Sequence, residues 1–462
     1  LCCMLAGVAA ATDYRAGAED YRDHLRRLQP GDRLRLDPGE YRQGLPLHSL
    51  SGRPGQPIII EAADPAAPPR FIAGPRANTV SLVDVRHLVL RHLELDGRNL
   101  PVDAVKAEGH GRYADFITLE QIYIHDHAAS QQNVGISTKC PAFGWVVKGN
   151  RIERVGTGMY FGDSDGSDPF VSGIIEDNQI RETLGYSLQI KHQKARSADR
   201  PEPGTRHDTL IRRNLFSKEG TIYGPHPRPN VLLGHFPVSG PGEDDRYIVY
   251  NNVFHQNPGE ALLQAEGNLI IFANLFVNPY GAGIRIQPHN HVPKMVYVFN
   301  NTVLAKDEGV MIRNRERPVW PQSVFANAIF SASPLSGGHA VGNLLGTYDE
   351  AARYLRMPTA PLNEINPAPR HVFRYREILP WPELPFRPAG LDGNPLVPGE
   401  IGAVTSSAMG RLRLPGARLW RYQAPNSRGA HSLSRLPRLP AISCSITPCS
   451  DRCWADCCWR TD

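Results

Sequence analysis

The segment GYSLQIKHQKAR, residues 185–196, sets Gln189, Lys191, His192, Lys194 and Arg196 on one short strand-like run and the turn after it. Lysine and histidine side chains can move protons, and arginine can hold a carboxylate in a forked pair. Further groups of the same kind recur downstream. AGIRIQPHN carries Arg285, Gln287 and His289, ALLQAEG carries Gln264 and Glu266, GVMIRN carries Arg313, GISTKC carries Lys139, and NVLLGH ends at His235. In GDSDGSDPF the carboxylates of Asp163, Asp165 and Asp168 surround Gly166, a set of hard oxygen donors on a turn that suits Ca²⁺. Its spacing is not that of an EF-hand loop, which closes on a glutamate.

These groups act together only if the chain brings them to one surface. Short β-branched runs, each followed by Asn, recur through the body, and the aligned asparagines are Asn150, Asn178, Asn214, Asn252, Asn274, Asn301 and Asn327. The smallest interval between them is 22 residues, and the longer ones are absorbed as loop insertions. Two or three strands of four or five residues per unit exclude a helical repeat. A propeller blade needs about 40 residues. The repeat therefore predicts an all-β fold, a single-stranded right-handed parallel β-helix. Its asparagines would sit at bends, where they tolerate left-handed backbone and form a hydrogen-bonded ladder. AEDYRDHLRRLQPGD, with Tyr21, Leu25 and Leu28 on one side, predicts an N-terminal capping helix over the first coil. TYDEAARYL predicts a second short helix.

In this register alternation sends Leu188, Ile190, Ile284 and Ile286 inward and leaves Gln189, Lys191, Arg285 and Gln287 outward. Lys139, Asp163, Gln189, Lys191, His235, Gln264, Glu266, Arg285, Gln287 and Arg313 then line one face, coil above coil. That face is a polar, mostly cationic stripe, whereas exposed strands usually favour Thr, Val and Tyr.

PGDRLRLDPGEYRQGLPLHSLSGRPGQPIIIEAADP is similar to the opening of secreted right-handed parallel β-helix proteins of the polysaccharide-lyase type, the pectin-lyase-like group with its alginate lyase and chondroitinase B relatives. GLDGNPLVPGEIGAV looks like the closing segment of many bacterial β-helix proteins, so the resemblance spans roughly residues 18–404. It implies a lyase acting on an acidic, uronate-containing polysaccharide by β-elimination. Such a reaction needs a cation on the carboxylate, a base for the C5 proton and help for the leaving oxygen. Lys191 and His192 are the candidate bases, with His235 and His289 as further acid–base groups. Arg196, Arg285 and Arg313 are the candidate carboxylate clamps. Lys139, Gln189, Gln264, Glu266 and Gln287 would line the substrate groove. A glycoside hydrolase and a non-catalytic carbohydrate-binding β-helix are the alternatives.

The remaining totals bound the partners. A formal net charge of +5 over 462 residues, without a Lys/Arg run, excludes a nucleic-acid footprint. No stretch reaches the roughly 18 apolar residues of a membrane span. LCCMLAGVAAATDY reads as the remnant of a secretory signal over residues 1–11, which implies a secreted or periplasmic protein. Residues 423–462, rich in Ser, Arg and Cys without periodicity, read as a disordered tail. The expected state is a monomer with no organic cofactor.

Overall fold

In the computed structural model the described residues are 11–110, 112–197, 206–221, 226–314 and 319–405. The signal-like segment and the 423–462 tail therefore lie outside them, residue 11 excepted. The chain winds as a right-handed parallel β-helix with three long sheets of 15, 12 and 11 strands. One coil shows the order. Arg246–Tyr250 lies in the first sheet, Val253–His255 in the second and Leu263–Ala265 in the third, before Gly267–Phe272 returns to the first. Each strand pairs in parallel with its equivalent one coil away, as Val249 does with Ile271 and Phe254 with Phe276.

The repeating asparagines mark the corner between the first and second sheets. They form a continuous ladder: each Nδ2 donates to the next Oδ1, from Asn150 to Asn178 at 2.9 Å through to Asn301 and Asn327 at 2.9 Å. Asn343 closes the series as an eighth member. The seven predicted members are all fully buried. The expected left-handed backbone falls one residue earlier, however, at Asp177, Arg213, Asn251 and Asn300, with φ of 57°, 53°, 54° and 49°. The ladder residue itself is chosen for its amide, which satisfies two backbone carbonyls or amides at a buried corner where water cannot reach.

The two ends of the solenoid are built differently from the middle. The predicted cap is a five-residue helix, Tyr21–Leu25, preceded by the strand Asp13–Ala16, which already pairs with Arg33–Leu36. Tyr21, Leu25 and Leu28 close the core over the first coil. The second predicted helix is a single turn of 3₁₀ helix, Tyr348–Glu350, running into Ala351–Tyr354. Residues of this region, Ala351, Leu355, Leu362 and Ile365, pack on the outer face of the second sheet against Leu275, Leu304 and Phe330. The Pro-rich stretch after it returns along the first sheet. There Leu379, Trp381, Leu384 and Phe386 cover a stack of Tyr250, Phe272, Phe299 and Phe325, whose rings lie 5.0–5.1 Å apart. Burial of each such ring contributes roughly 1.5–3 kcal/mol. The apolar C-terminal cover thus packs on the outer faces of the first and second sheets over the later coils and does not extend to the third sheet.

Candidate functional site

The third sheet carries the predicted stripe. Lys106, Ser137, Tyr160, Gln189, Leu232, Gln264 and Arg285 occupy one outward row, each the register partner of the next. Lys139, Lys191, Glu266, Gln287 and Arg313 stand two residues further along, just past the strand ends. Their backbone N–H groups donate to Ala107, Phe161, Leu233, Ala265 and Ile286 of the preceding coil. What separates these residues is how each charge is used.

Several are committed to structure. Arg285 lies between two carboxylates, Glu260 at 2.8 Å and Glu308 at 2.7 Å, and Arg313 leans on Glu308 at 3.5 Å. Neither offers an unneutralised cation to a substrate. Glu266 is almost wholly buried and accepts the backbone N–H groups of His289 at 2.9 Å, Asn290 at 3.0 Å and His291 at 2.9 Å. Its carboxylate folds the 289–291 loop, and the His289 side chain projects into solvent beyond it. Gln189 is buried, while Gln264 and Gln287 stay half-buried on the face. Arg196 is corrected outright. Its guanidinium is buried in an ion pair with the equally buried Asp245, 49 residues later, instead of lining the groove. That pair holds the loop after Lys191 against the next coil.

Lys139 lies near Lys106 and Lys191 on this face. Lys139 sits with its Nζ 3.7 Å from the centre of the Tyr160 ring and donates to the Gly162 carbonyl at 3.3 Å. Burial, reinforced by the positive charges of Lys106 and Lys191, lowers its pKa to about 8. Burial lifts the Tyr160 phenol to about 12, so it stays neutral beneath the amine. Beyond Lys191 come three imidazoles: His192 and His235 with rings 5.5 Å apart, then His235 and His291 at 5.3 Å. His235 donates its Nδ1–H to the Phe236 carbonyl at 2.6 Å. The His192 Nδ1 is buried without a hydrogen-bond partner. Burial, with Lys191 and His235 nearby, pushes this ring below the ordinary histidine range. An inaccessible Nδ1 makes His192 a support of the cluster more than a base for a polymer. Tyr160 and His291 escaped the sequence reading. Tyr160 was legible, since Met159 and Phe161 on either side alternate inward.

Among the three candidate metal ligands, Asp163 and Asp168 converge and are joined by His110, their ligand atoms lying within 4.8 Å of one another. His110 donates to Asp168 at 2.6 Å, and Asp163 accepts the Ser167 hydroxyl and the Asp168 N–H, each at 3.0 Å. Asp165 turns away to Lys194 at 3.0 Å. Two carboxylates and an imidazole supply three of the six to eight ligands that Ca²⁺ takes, and backbone carbonyls or water would have to supply the others.

A second charged region lies on the outer face of the second sheet. Arg70, Glu94, Asp96, Tyr123, His125, Asp126, Glu153 and Arg154 form a closed network there. His125 donates to Asp126 at 2.7 Å and approaches Glu94 at 3.2 Å, while Arg154 bridges Asp126 and Glu153 at 2.7 and 2.6 Å.

No protein-family profile matches the chain, and neither does any curated protein sequence. Among solved structures the chain is similar to a PL6 family alginate lyase, with a TM-score of 0.48, 13% identity, and coverage of 72% of this chain and 51% of that one. It is similar to pectate lyase Pel9A at a TM-score of 0.43 and 15% identity, covering 78% and 83%. A GH136 lacto-N-biosidase from Eubacterium ramulus follows at 0.40 and 15%, covering 73% and 68%. All three are parallel β-helices. The chain spans about half the length of the alginate lyase. Among the described residues no helix is long and apolar enough to cross a membrane.

Proposed function

We propose that this protein cleaves an acidic, uronate-containing polysaccharide by β-elimination on the third-sheet face. The observation that carries this reading is Lys139, an amine with a pKa of about 8, held against Tyr160 on the third-sheet face. An amine near neutrality can accept a proton that an ordinary lysine cannot. Lys139 takes the C5 proton, the electron pair forms the C4–C5 double bond, and the C4–O bond to the next sugar breaks. The leaving oxygen is protonated by water at that face. Lys191, close enough to depress the Lys139 pKa, neutralises the substrate carboxylate as charge develops on it. Gln264 and Gln287 contact sugar hydroxyls further along. The base is thus assigned to Lys139, two coils before the lysine that the sequence singles out.

A hydrolase needs two carboxyl groups about 5–9.5 Å apart and able to trade protons. Glu266 is saturated by backbone N–H groups, which argues against that chemistry on the stripe. The reading places the protein where polymeric uronates occur, outside the cytoplasm.

Incubating the full chain with alginate, polygalacturonate, hyaluronan and chondroitin tests the proposal. Ultraviolet absorbance of an unsaturated uronate appearing together with reducing ends is the expected result. Reducing ends alone would establish a hydrolase, and binding without either product would establish a carbohydrate-binding protein.

A further inference from the structure

The third-sheet face changes character along the solenoid axis. From Ser137 its outward row runs through Tyr160, Gln189, Leu232 and Gln264 to Arg285, a distance of about 24 Å at the usual strand spacing. Around Lys139 three amines, Lys106, Lys139 and Lys191, stand against the carboxylates of Asp103 and Asp163. Past Leu232 that surplus of positive charge is gone. Glu260 reaches Arg285 from the preceding coil and holds Nη1 at 2.8 Å, and Glu308 reaches it from the following coil and holds Nε at 2.7 Å. Arg313 leans on the same Glu308 at 3.5 Å, and Glu266 is folded into its loop. Two guanidinium groups thus meet two half-buried carboxylates whose outer oxygens remain at the surface. Beside them lie only the amides of Gln264 and Gln287, both half-buried on the face. Amides and carboxylates already paired with arginine suit the hydroxyls and acetamido groups of neutral sugars. A sugar carboxylate arriving there meets Glu260 and Glu308 as like charges.

We propose that the sugars bound past Leu232 are uncharged, and that the substrate is a mixed polysaccharide in which neutral sugars separate the uronates, not a homopolymer of uronate. The inference rests on the reading of the third-sheet face as the lyase groove and names the substrate class within it. The cationic half receives the uronate that is cleaved, and the charge-balanced half receives its neutral neighbours further along the chain. A homopolymer binds with a carboxylate against Glu260 and Glu308. Because these groups are partly exposed, salt screens that repulsion and weakens the discrimination.

Polygalacturonate and alginate, each untreated and with a fraction of its carboxyls reduced to alcohols, test this at about pH 8, above the histidine range. Partial reduction keeps the backbone of each polymer and places neutral sugars between the uronates. Binding is measured by calorimetry on Lys139→Ala, and turnover by unsaturated product on the parent protein. Reduction should tighten binding and raise kcat/KM per remaining uronate roughly tenfold at low salt, and high salt should narrow the gap. Glu308→Gln, which frees one side of Arg285, should cut that gain about threefold while melting like the parent. Where the variant melts early, the response of the parent to reduction decides alone. Homopolymers bound and cleaved as well as the reduced ones, or a gain unmoved in folded Glu308→Gln, would overturn the inference and leave elimination standing. Tighter binding of the reduced polymers without unsaturated product from any of them would overturn elimination and leave the charge preference standing.

Discussion

Two faces of the same solenoid hold comparable amounts of charge and use it in opposite ways. On the second sheet, cations and carboxylates alternate. Burial disfavours a charged His125, but its hydrogen bonds to Asp126 and Glu94 outweigh that and raise its pKa to about 9. The same partners, His125 and Arg154, hold the Asp126 carboxyl well below its usual range against the pull of burial. On the third sheet burial, reinforced by the nearby Lys106 and Lys191, moves Lys139 down to about 8. A network in which every ion strengthens its neighbour is a fastening. A group in which each weakens the next is maintained at a cost to stability, and such sites are where function concentrates.

Removing the base should have the largest effect. Lys139→Ala is expected to lower the rate of unsaturated-product formation by about 10²–10⁴-fold, with the melting temperature unchanged or raised. Breaking the scaffold comes next. Asn252→Ala removes the donor to Ile211 O at 2.8 Å and the rung to Asn274 at 2.9 Å and leaves Asn214 without its acceptor. It should cost about 3 kcal/mol in denaturant unfolding, with turnover by the folded fraction retained. Arg154→Met, which leaves Glu153 to Arg151 and Tyr123 and Asp126 to His125, should cost about 1–2 kcal/mol and leave turnover intact.

The pH dependence of stability sharpens the contrast. The folded pKa of His125 lies above its unfolded value of about 6.5, so its stabilisation is complete below that value and is lost as pH rises through about 9. Thermal melts at pH 6.5 and 9.5 should show a fall that His125→Asn abolishes. Lys139 behaves in the reverse sense: its protonated form opposes folding most below about pH 8. The smallest effect belongs to Arg313→Ala. With its side chain 63% exposed and the Glu308 carboxylate at 3.5 Å, it should change stability and turnover by less than about 0.5 kcal/mol.

The coil architecture was legible because its determinants are local. Asparagine at a bend and apolar residues at alternate positions need no knowledge of distant partners, and every predicted rung of the ladder is present. The row of outward residues on the third sheet followed from the same alternation. What stayed hidden were the long-range pairings that decide which outward residues are available. Arg196 looks exposed until Asp245 is placed beside it, and Glu266 looks like a groove-lining residue until the 289–291 loop closes on it. The cover of Leu379, Trp381 and Phe386 has no period to read, so nothing in its sequence announced that it would pack on the first sheet. His291 lies in a loop whose direction is set by Glu266, 25 residues earlier.

The central claim is that burial on the third-sheet face, reinforced by Lys106 and Lys191, has made Lys139 a base. The pH dependence of the initial rate of unsaturated-uronate formation tests it most directly. The rate should rise with pH through about 8 as the Lys139 ammonium loses its proton, and Lys139→Ala should abolish that rise together with the activity. A rate that is flat from pH 6 to 9.5, or one that survives Lys139→Ala with the same profile, would contradict it.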